Sequence, residues 1–131
     1  MSSSIAPVET VSDRWNRVFQ ALSEQPRRCL ILSLADEPPD AMLPLPEAAL
    51  SDHYDGSRRD LDINLRHQHL PVLDDAGYVV WDETRFRAAR GPNFEEVAAV
   101  LTTLVESADD LPDTLVEGCA PLEQVAGIGQ P

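Results

Sequence analysis

Lysine is absent from this chain, and the charge that remains is strongly negative. The 131 residues include 23 acidic and 10 basic residues, the latter all arginine, for a formal net charge of −13. Such a surface normally disfavours nucleic acid, because contacts to phosphate need cations. In multimolar salt, however, the Debye length is about 3 Å or less, so acidic self-repulsion is screened. We therefore predict a cytoplasmic protein of a salt-accumulating halophile. An acidic mesophilic protein that avoids acidic partners is the alternative.

The chain also lacks segments that would direct it to or across a membrane. The longest apolar stretch, CLILSLA at 29–35, is far too short to span a bilayer. MSSSIAPVET at 1–10 has neither the charged start nor the apolar core of a signal peptide. We expect a soluble protein with no membrane contact.

Motifs for catalysis, cofactors and metals are missing as well. There is no Gly-rich phosphate loop, nucleophile elbow or Ser/His/Asp spacing, so we predict no enzyme and no cofactor. Cys29 and Cys119 lie 90 positions apart and form no metal-binding spacing. His67 and His69, two residues apart, do not share a helix face, and no cluster supplies the other ligands that zinc needs. We predict no metal site, with His69 packed inside the fold and His67 exposed.

Apolar periodicity predicts one mainly α domain with a small β-hairpin. The predicted order is helix, helix, short strand, short helix, long helix, hairpin, helix. Residues 12–106 form this domain. Residues 1–11 are predicted to be disordered, and residues 107–131, acidic and then containing Gly and Pro, to be a flexible tail.

Capping residues and prolines set the limits of the first elements. Ser12 or Asp13 can cap the first helix, and Pro26 suits the first position of the second. The proline-rich stretch that follows excludes a central strand. It is predicted as an extended segment at 42–45 and a short helix at 47–52. One face of the first helix carries Trp15, Val18, Phe19 and Leu22.

The longest predicted helix spans 58–76, capped by Ser57 or Asp60. Pro71 should bend or break it just upstream, because proline removes one backbone hydrogen bond. Gly77 is predicted as the residue just beyond its end.

A hairpin and an amphipathic helix complete the predicted domain. Strands at 78–81 and 85–87 flank a turn at 82–84, with Phe86 pointing inward and its neighbouring arginines outward. The last helix runs from Phe94 to Val105, and Asn93 can cap it.

Two stretches resemble a known family. ALSEQPRRCLILSLADEP at 21–38 is similar to the opening pattern of ArsR-type regulators, and HLPVLDDAGYVV at 69–80 is similar to the end of their recognition helix. The HxHLPxLxxAG wording resembles a haloarchaeal winged-helix domain. The resemblance implies a winged helix-turn-helix fold, double-stranded DNA as partner, and a homodimer formed through terminal helices. The cysteine pair of ArsR metal sensors has no counterpart in MLPLPEAALSD at 42–52, so metal sensing is not implied.

Side-chain chemistry then selects candidate contacts on the recognition helix and wing. Arginines suit phosphate or guanine, and amides suit the adenine edge. The candidate DNA-binding residues are Arg58, Arg59, Asn64, Arg66, His67, Gln68, Arg85 and Arg87. Among them, Arg66 is assigned to guanine, Asn64 and Gln68 to adenine, and Arg85 and Arg87 to the backbone or minor groove.

Each candidate has a plainer interpretation. The helix arginines can balance Asp55, Asp60 and Asp62 as solvated pairs, and the hairpin arginines can protect a strand edge. The same fold can also serve as a protein–protein interaction module without DNA binding. We predict a homodimeric DNA-binding transcription regulator and keep the interaction module as the alternative.

Overall fold

The computed structural model describes residues 9–51 and 54–116, which form a mainly helical fold with a small antiparallel sheet. This confirms the predicted class. The elements are α1 (Val11–Leu22), α2 (Gln25–Ala35), β1 (Leu43–Pro44), a 3₁₀ turn (Glu47–Ala49), α3 (Arg58–Asn64), a π-helical turn (Leu65–His69), α4 (Leu70–Asp75), β2 (Val79–Asp82), β3 (Arg87–Arg90), α5 (Phe94–Glu106), a second 3₁₀ turn (Ala108–Asp110) and α6 (Asp113–Val116).

The first two helices begin close to where capping chemistry places them. Thr10 caps α1 in a reciprocal capping box with Asp13, so the predicted cap at Ser12 or Asp13 was wrong by a few residues. Pro26 is the second residue of α2, one position later in the helix than predicted, and it still lies in the first turn, where its missing N–H is tolerated. The predicted face of α1 is only partly buried, because Trp15 is 46% and Phe19 is 60% exposed.

The predicted long helix is one continuous helical run that widens before Pro71. Ser57 caps it by accepting a hydrogen bond from the backbone N–H of Asp60. At the end of the π-helical turn, the N–H of Leu70 donates to the carbonyl of Leu65, five residues back. The turn inserts one extra residue into the helix just before the proline that lacks a donor. The predicted distortion upstream of Pro71 is thus a change of helical register.

Gly77 ends this run, as predicted. Its φ of +77° lies in the left-handed region. The N–H of Tyr78 donates to the carbonyl of Leu73, and the N–H of Gly77 to that of Asp74, both at 2.9 Å. These are the two bonds of a Schellman motif.

The hairpin is present, but its second strand begins two residues later than predicted. The register pairs Asp82 with Arg87 and Val79 with Arg90, so 83–86 form the connecting loop. Phe86 has a φ of +52° and its side chain is buried, which turns the chain before β3 starts. Asp82 helps to set the turn by accepting hydrogen bonds from the backbone N–H groups of Thr84 and Arg85.

The proline-rich segment forms the edge of the sheet, whose strand order is β1-β3-β2. Pro44 lies in this two-residue edge strand, where its missing N–H is tolerated. The predicted short helix at 47–52 is a 3₁₀ turn at 47–49, and residues 52 and 53 lie outside the described residues.

One core joins α2, the 58–75 run, the sheet and α5. Its largest fully buried side chains include Leu30, Leu34, Leu61, Leu65, Leu70, Leu73, Tyr78 and Val97. Beyond α5, Ala108 and Val116 are also buried. The predicted flexible tail at 107–131 therefore begins with a folded part up to residue 116. Residues 117–131, including Cys119, and residues 1–8 lie outside the described residues.

Candidate nucleic-acid interface

The eight predicted site residues lie on the outward side of the 58–69 helical run and on the neighbouring hairpin. Leu61, Leu65 and His69 point into the core and fix which side of the run faces solvent. Arg66 is half-buried. The other seven candidates are exposed: Arg58, Arg59, Asn64, His67, Gln68, Arg85 and Arg87.

Arg66 joins the helix to the hairpin loop through three contacts. Its Nε donates to Asp62 Oδ1 at 2.7 Å, and its Nη1 donates to the carbonyl oxygen of Glu83 at 3.1 Å. Its guanidinium carbon lies 3.8 Å from the centre of the Phe86 ring, a cation–π contact. These contacts use much of the guanidinium fork. Reading guanine would require Arg66 to give them up.

Two other arginines of the region are also engaged. Arg58 forms an ion pair with Glu47. A backbone hydrogen bond and, second, the Arg58 donor lower the pKa of the Glu47 carboxyl. Arg90, at the end of β3, donates from Nη2 to the carbonyl of Glu37 at 2.8 Å and to that of Leu34 at 3.1 Å. It therefore satisfies carbonyl groups at the end of α2, where cations are favoured.

Three arginines remain for an outside partner. Within residues 9–51 and 54–116, the side chains of Arg59, Arg85 and Arg87 make no hydrogen bond or ion pair. The same holds for the side chains of Asn64 and Gln68. The Arg66 contacts bring the helix and the hairpin loop together, so these groups share one surface. We call it the helix–hairpin face.

The charge on this face differs from that of the rest of the chain. Segments 55–69 and 82–90 hold six of the ten arginines and five of the 23 acidic residues, a formal charge of +1. All other residues together therefore carry −14. An anion approaching these segments therefore meets less repulsion than the net charge of the chain implies.

Ile63 belongs to the same face and was not among the predicted residues. It is 44% exposed, although it lies in the middle of α3. The sequence contains the signal for it: residues two apart lie on different sides of a helix, and Ile63 stands between the core residues Leu61 and Leu65.

His69 holds the inner side of this helical run in place. Its Nδ1 accepts a hydrogen bond from Arg27 Nε at 3.1 Å, and both residues are 4% exposed. Arg27 also donates to the carbonyl of Gln20 at 2.6 Å, which ties the π-helical turn to the end of α1. Burial, and after it the Arg27 charge, lower the pKa of His69. The predicted separation of an inward His69 from an outward His67 is confirmed.

A second surface is distinguished by exposed apolar side chains. Val11 is 73% exposed, and the stacked rings of Trp15 and Phe19 lie 5.5 Å apart on the same side of α1. α5 lies alongside, with Leu104 39% exposed and Val100 partly so. We call the residues Val11, Trp15, Phe19, Val100 and Leu104 the α1–α5 stripe.

The described ranges hold no group of three or more His, Cys, Asp or Glu side chains arranged for a metal ion. None of the described helices is long and apolar enough to cross a membrane. Comparisons with protein-family models, curated proteins and solved structures found no match to this chain.

Proposed function

We propose that this protein is a winged helix-turn-helix regulator that binds double-stranded DNA through the helix–hairpin face. The helical run 58–69 would enter the major groove, which is wide enough for an α-helix. The β2–β3 hairpin would be the wing and place Arg85 and Arg87 against the backbone beside it.

The observation that carries this proposal is the coupling of helix and hairpin by Arg66. A helix alone offers a narrow strip of side chains. Because Arg66 joins the helix to the loop that precedes β3, amides on the helix and unpaired cations on the hairpin form one surface. Base-reading groups flanked by phosphate-binding groups are what a duplex requires. The charge contrast between this face and the rest of the chain supports the same conclusion.

Titration of duplex DNA, followed by fluorescence anisotropy, tests the proposal. The probes are a random-sequence duplex pool and the region upstream of the gene, at roughly 2–3 M KCl and at lower salt where the protein stays folded. The variant Arg85→Gln/Arg87→Gln removes two cations from the hairpin. Arg14→Gln/Arg17→Gln removes two from α1 and is the matched control.

Each phosphate contact adds about 0.9 to the magnitude of the slope of log K against log salt. The hairpin variant should therefore reduce that slope by about 2 per protomer, whereas the control should leave it unchanged. Failure of the wild-type protein to bind any duplex while folded would refute the proposal. Equal effects of both variants would place the contact elsewhere.

The α1–α5 stripe supports a homodimer as the working unit. Two-fold dimers are the commonest oligomers, and a stripe of aromatic and aliphatic side chains on two adjacent helices favours burial against a second copy. Phe19→Glu should produce a monomer in light scattering, and Asn16→Glu, with the same added charge on an exposed neighbouring position, should not. If the wild type is already monomeric, this part of the proposal fails.

The interaction module remains the second candidate. The acidic residues Asp60 and Asp55 border the helix–hairpin face, and the exposed stripe can serve a different protein. If the wild-type protein binds no duplex and is also monomeric, this candidate is favoured.

A further inference from the structure

The exposed side of the recognition helix combines an aliphatic residue with two amides and lacks a free arginine at its centre. Ile63 is 44% exposed, and Asn64 and Gln68 lie beside and one turn beyond it. Arg66, the one arginine between these amides, is engaged with Asp62, Glu83 and Phe86.

These side chains match the chemistry of one kind of base pair. In the major groove, Asn and Gln pair with the N6 and N7 atoms of adenine, whereas guanine is read mainly by Arg or Lys. Thymine alone presents a methyl group, which apolar side chains contact. Isoleucine and amides therefore complement adenine and thymine at the centre of this helix side. Arg59, one turn before Ile63, is the free arginine of the helix side and is assigned to phosphate.

We infer that the helix reads A·T base pairs, with Ile63 against a thymine C5-methyl group and Asn64 and Gln68 on adenine edges. This inference rests on the proposed DNA-binding function and names the class of site that it recognises. A methyl contact releases no counterion, so concentrated salt does not weaken it as it weakens phosphate contacts. It also replaces the earlier assignment of Arg66 to guanine with a structural role for that residue.

The alternative use of Ile63 is as part of a protein-binding patch. Its helical neighbours argue against this use, because Arg59 lies one turn before it, His67 one turn after it, and Asn64 next to it, and all are polar and exposed. Ile63 also lines a shallow hollow with Pro46, Arg58, Arg59 and Asp62, of which Pro46 alone is apolar. Two apolar side chains among charged groups form too small a patch to hold a protein partner. It is large enough for one methyl group.

Replacement of thymine by deoxyuridine tests the proposed contact with the thymine C5-methyl group. Sites are first selected from a random duplex pool in high salt, and each is then synthesised with thymine or with deoxyuridine at single positions. The two duplexes differ only in the C5-methyl group. Loss of one buried methyl group should weaken wild-type binding roughly fourfold.

Two variants assign that loss to a residue. Ile63→Ala should bind the thymine and deoxyuridine duplexes equally, while Leu115→Ala, which shortens an exposed aliphatic residue of α6, should keep the wild-type difference. Asn64→Ala/Gln68→Ala should relax the selection for A·T pairs. All four substituted positions are exposed, and circular dichroism verifies that each of the three variants is folded.

The failure of this inference is distinguishable from that of the proposed function. Selective binding to G·C-rich sites, or equal wild-type affinity for every thymine and deoxyuridine pair, would overturn the A·T assignment while leaving DNA binding intact. Retention of the thymine preference in Ile63→Ala would exclude this residue as the reader. Absence of binding to any duplex would overturn both the function and the inference that depends on it.

Discussion

Replacing Arg66 with alanine should destabilise the fold more than replacing either exposed hairpin arginine, Arg85 or Arg87. The change removes the ion pair with Asp62, the hydrogen bond to the Glu83 carbonyl and the contact with the Phe86 ring. Because Phe86 immediately precedes β3, the loss is expected to loosen the hairpin loop against the helix. Arg85→Ala is the matched control, since the Arg85 side chain is exposed and unpaired within the described ranges.

The expected magnitude follows from the three contacts. An exposed ion pair one helical turn apart contributes about 0.3–0.5 kcal/mol. The cation–π contact adds about 0.5–1 kcal/mol, and the hydrogen bond to the carbonyl adds about 0.5–1.5 kcal/mol net. Because one side chain makes all three, they are not independent, and we expect a total loss of about 2 kcal/mol. The control should change stability by less than about 0.5 kcal/mol.

Urea denaturation at constant KCl, followed by tryptophan fluorescence, measures both variants. Arg66→Lys is informative too, because an ammonium group lacks the planar fork that reaches Asp62 and Glu83 together. It should recover less than half of the lost stability. If Arg66→Ala and Arg85→Ala lose the same stability, the three contacts contribute nothing, and the structural role assigned to Arg66 is wrong.

Two further predictions concern the ends of the same helical run. Gly77→Ala should lower the free energy of unfolding by about 2 kcal/mol, because alanine is strained at positive φ and its Cβ would lie 2.6 Å from Asn93 Nδ2. Thermal unfolding measures this loss, and an unchanged Tm would refute the prediction. His69 has a lowered pKa in the folded state, so the unfolded chain binds its proton first and stability falls as pH drops below about 6.5. His69→Gln keeps an acceptor for Arg27 and leaves Glu24, whose charge opposes the pKa shift, unchanged. Between pH 7.5 and 5.5, the free energy of unfolding of this variant should decrease less than that of the wild type, by up to about 1.4 kcal/mol. Equal decreases in both proteins would contradict the role assigned to His69.

Local chemistry made much of the fold predictable. Gly77 followed the last apolar residue of a periodic run, and its positive φ is what that position requires. Pro71 signalled a disturbance just upstream, but only the packing of Leu65, His69 and Leu70 decides that the helix adapts by a π-helical turn instead of breaking. The length of the hairpin loop was mispredicted because Phe86 adopts positive φ, which a propensity for strands does not anticipate.

The sequence indicated which residues to consider for the candidate site, but not which of its arginines are held by contacts within the fold. The sequence neighbours of Arg59, Arg66 and Arg90 do not indicate which of these guanidinium groups is engaged. Their partners come from distant segments: a loop carbonyl at Glu83 for Arg66, and carbonyl groups at the end of α2 for Arg90. No local pattern encodes such pairings, so only the tertiary structure separates structural arginines from available ones.

That separation sets a limit on the salt dependence of DNA binding. With three unpaired arginines on the helix–hairpin face, and about 0.9 in slope per phosphate contact, the slope of log K against log salt should not exceed about 3 in magnitude per protomer. A tenfold rise in salt would then weaken each protomer's binding by less than about a thousandfold. A face with all six arginines available would lose roughly the square of that factor. A measured slope well above 3 per protomer would mean that the ion pairs of Arg58 and Arg66 open on binding, and the rigid helix–hairpin coupling proposed for this protein would be wrong.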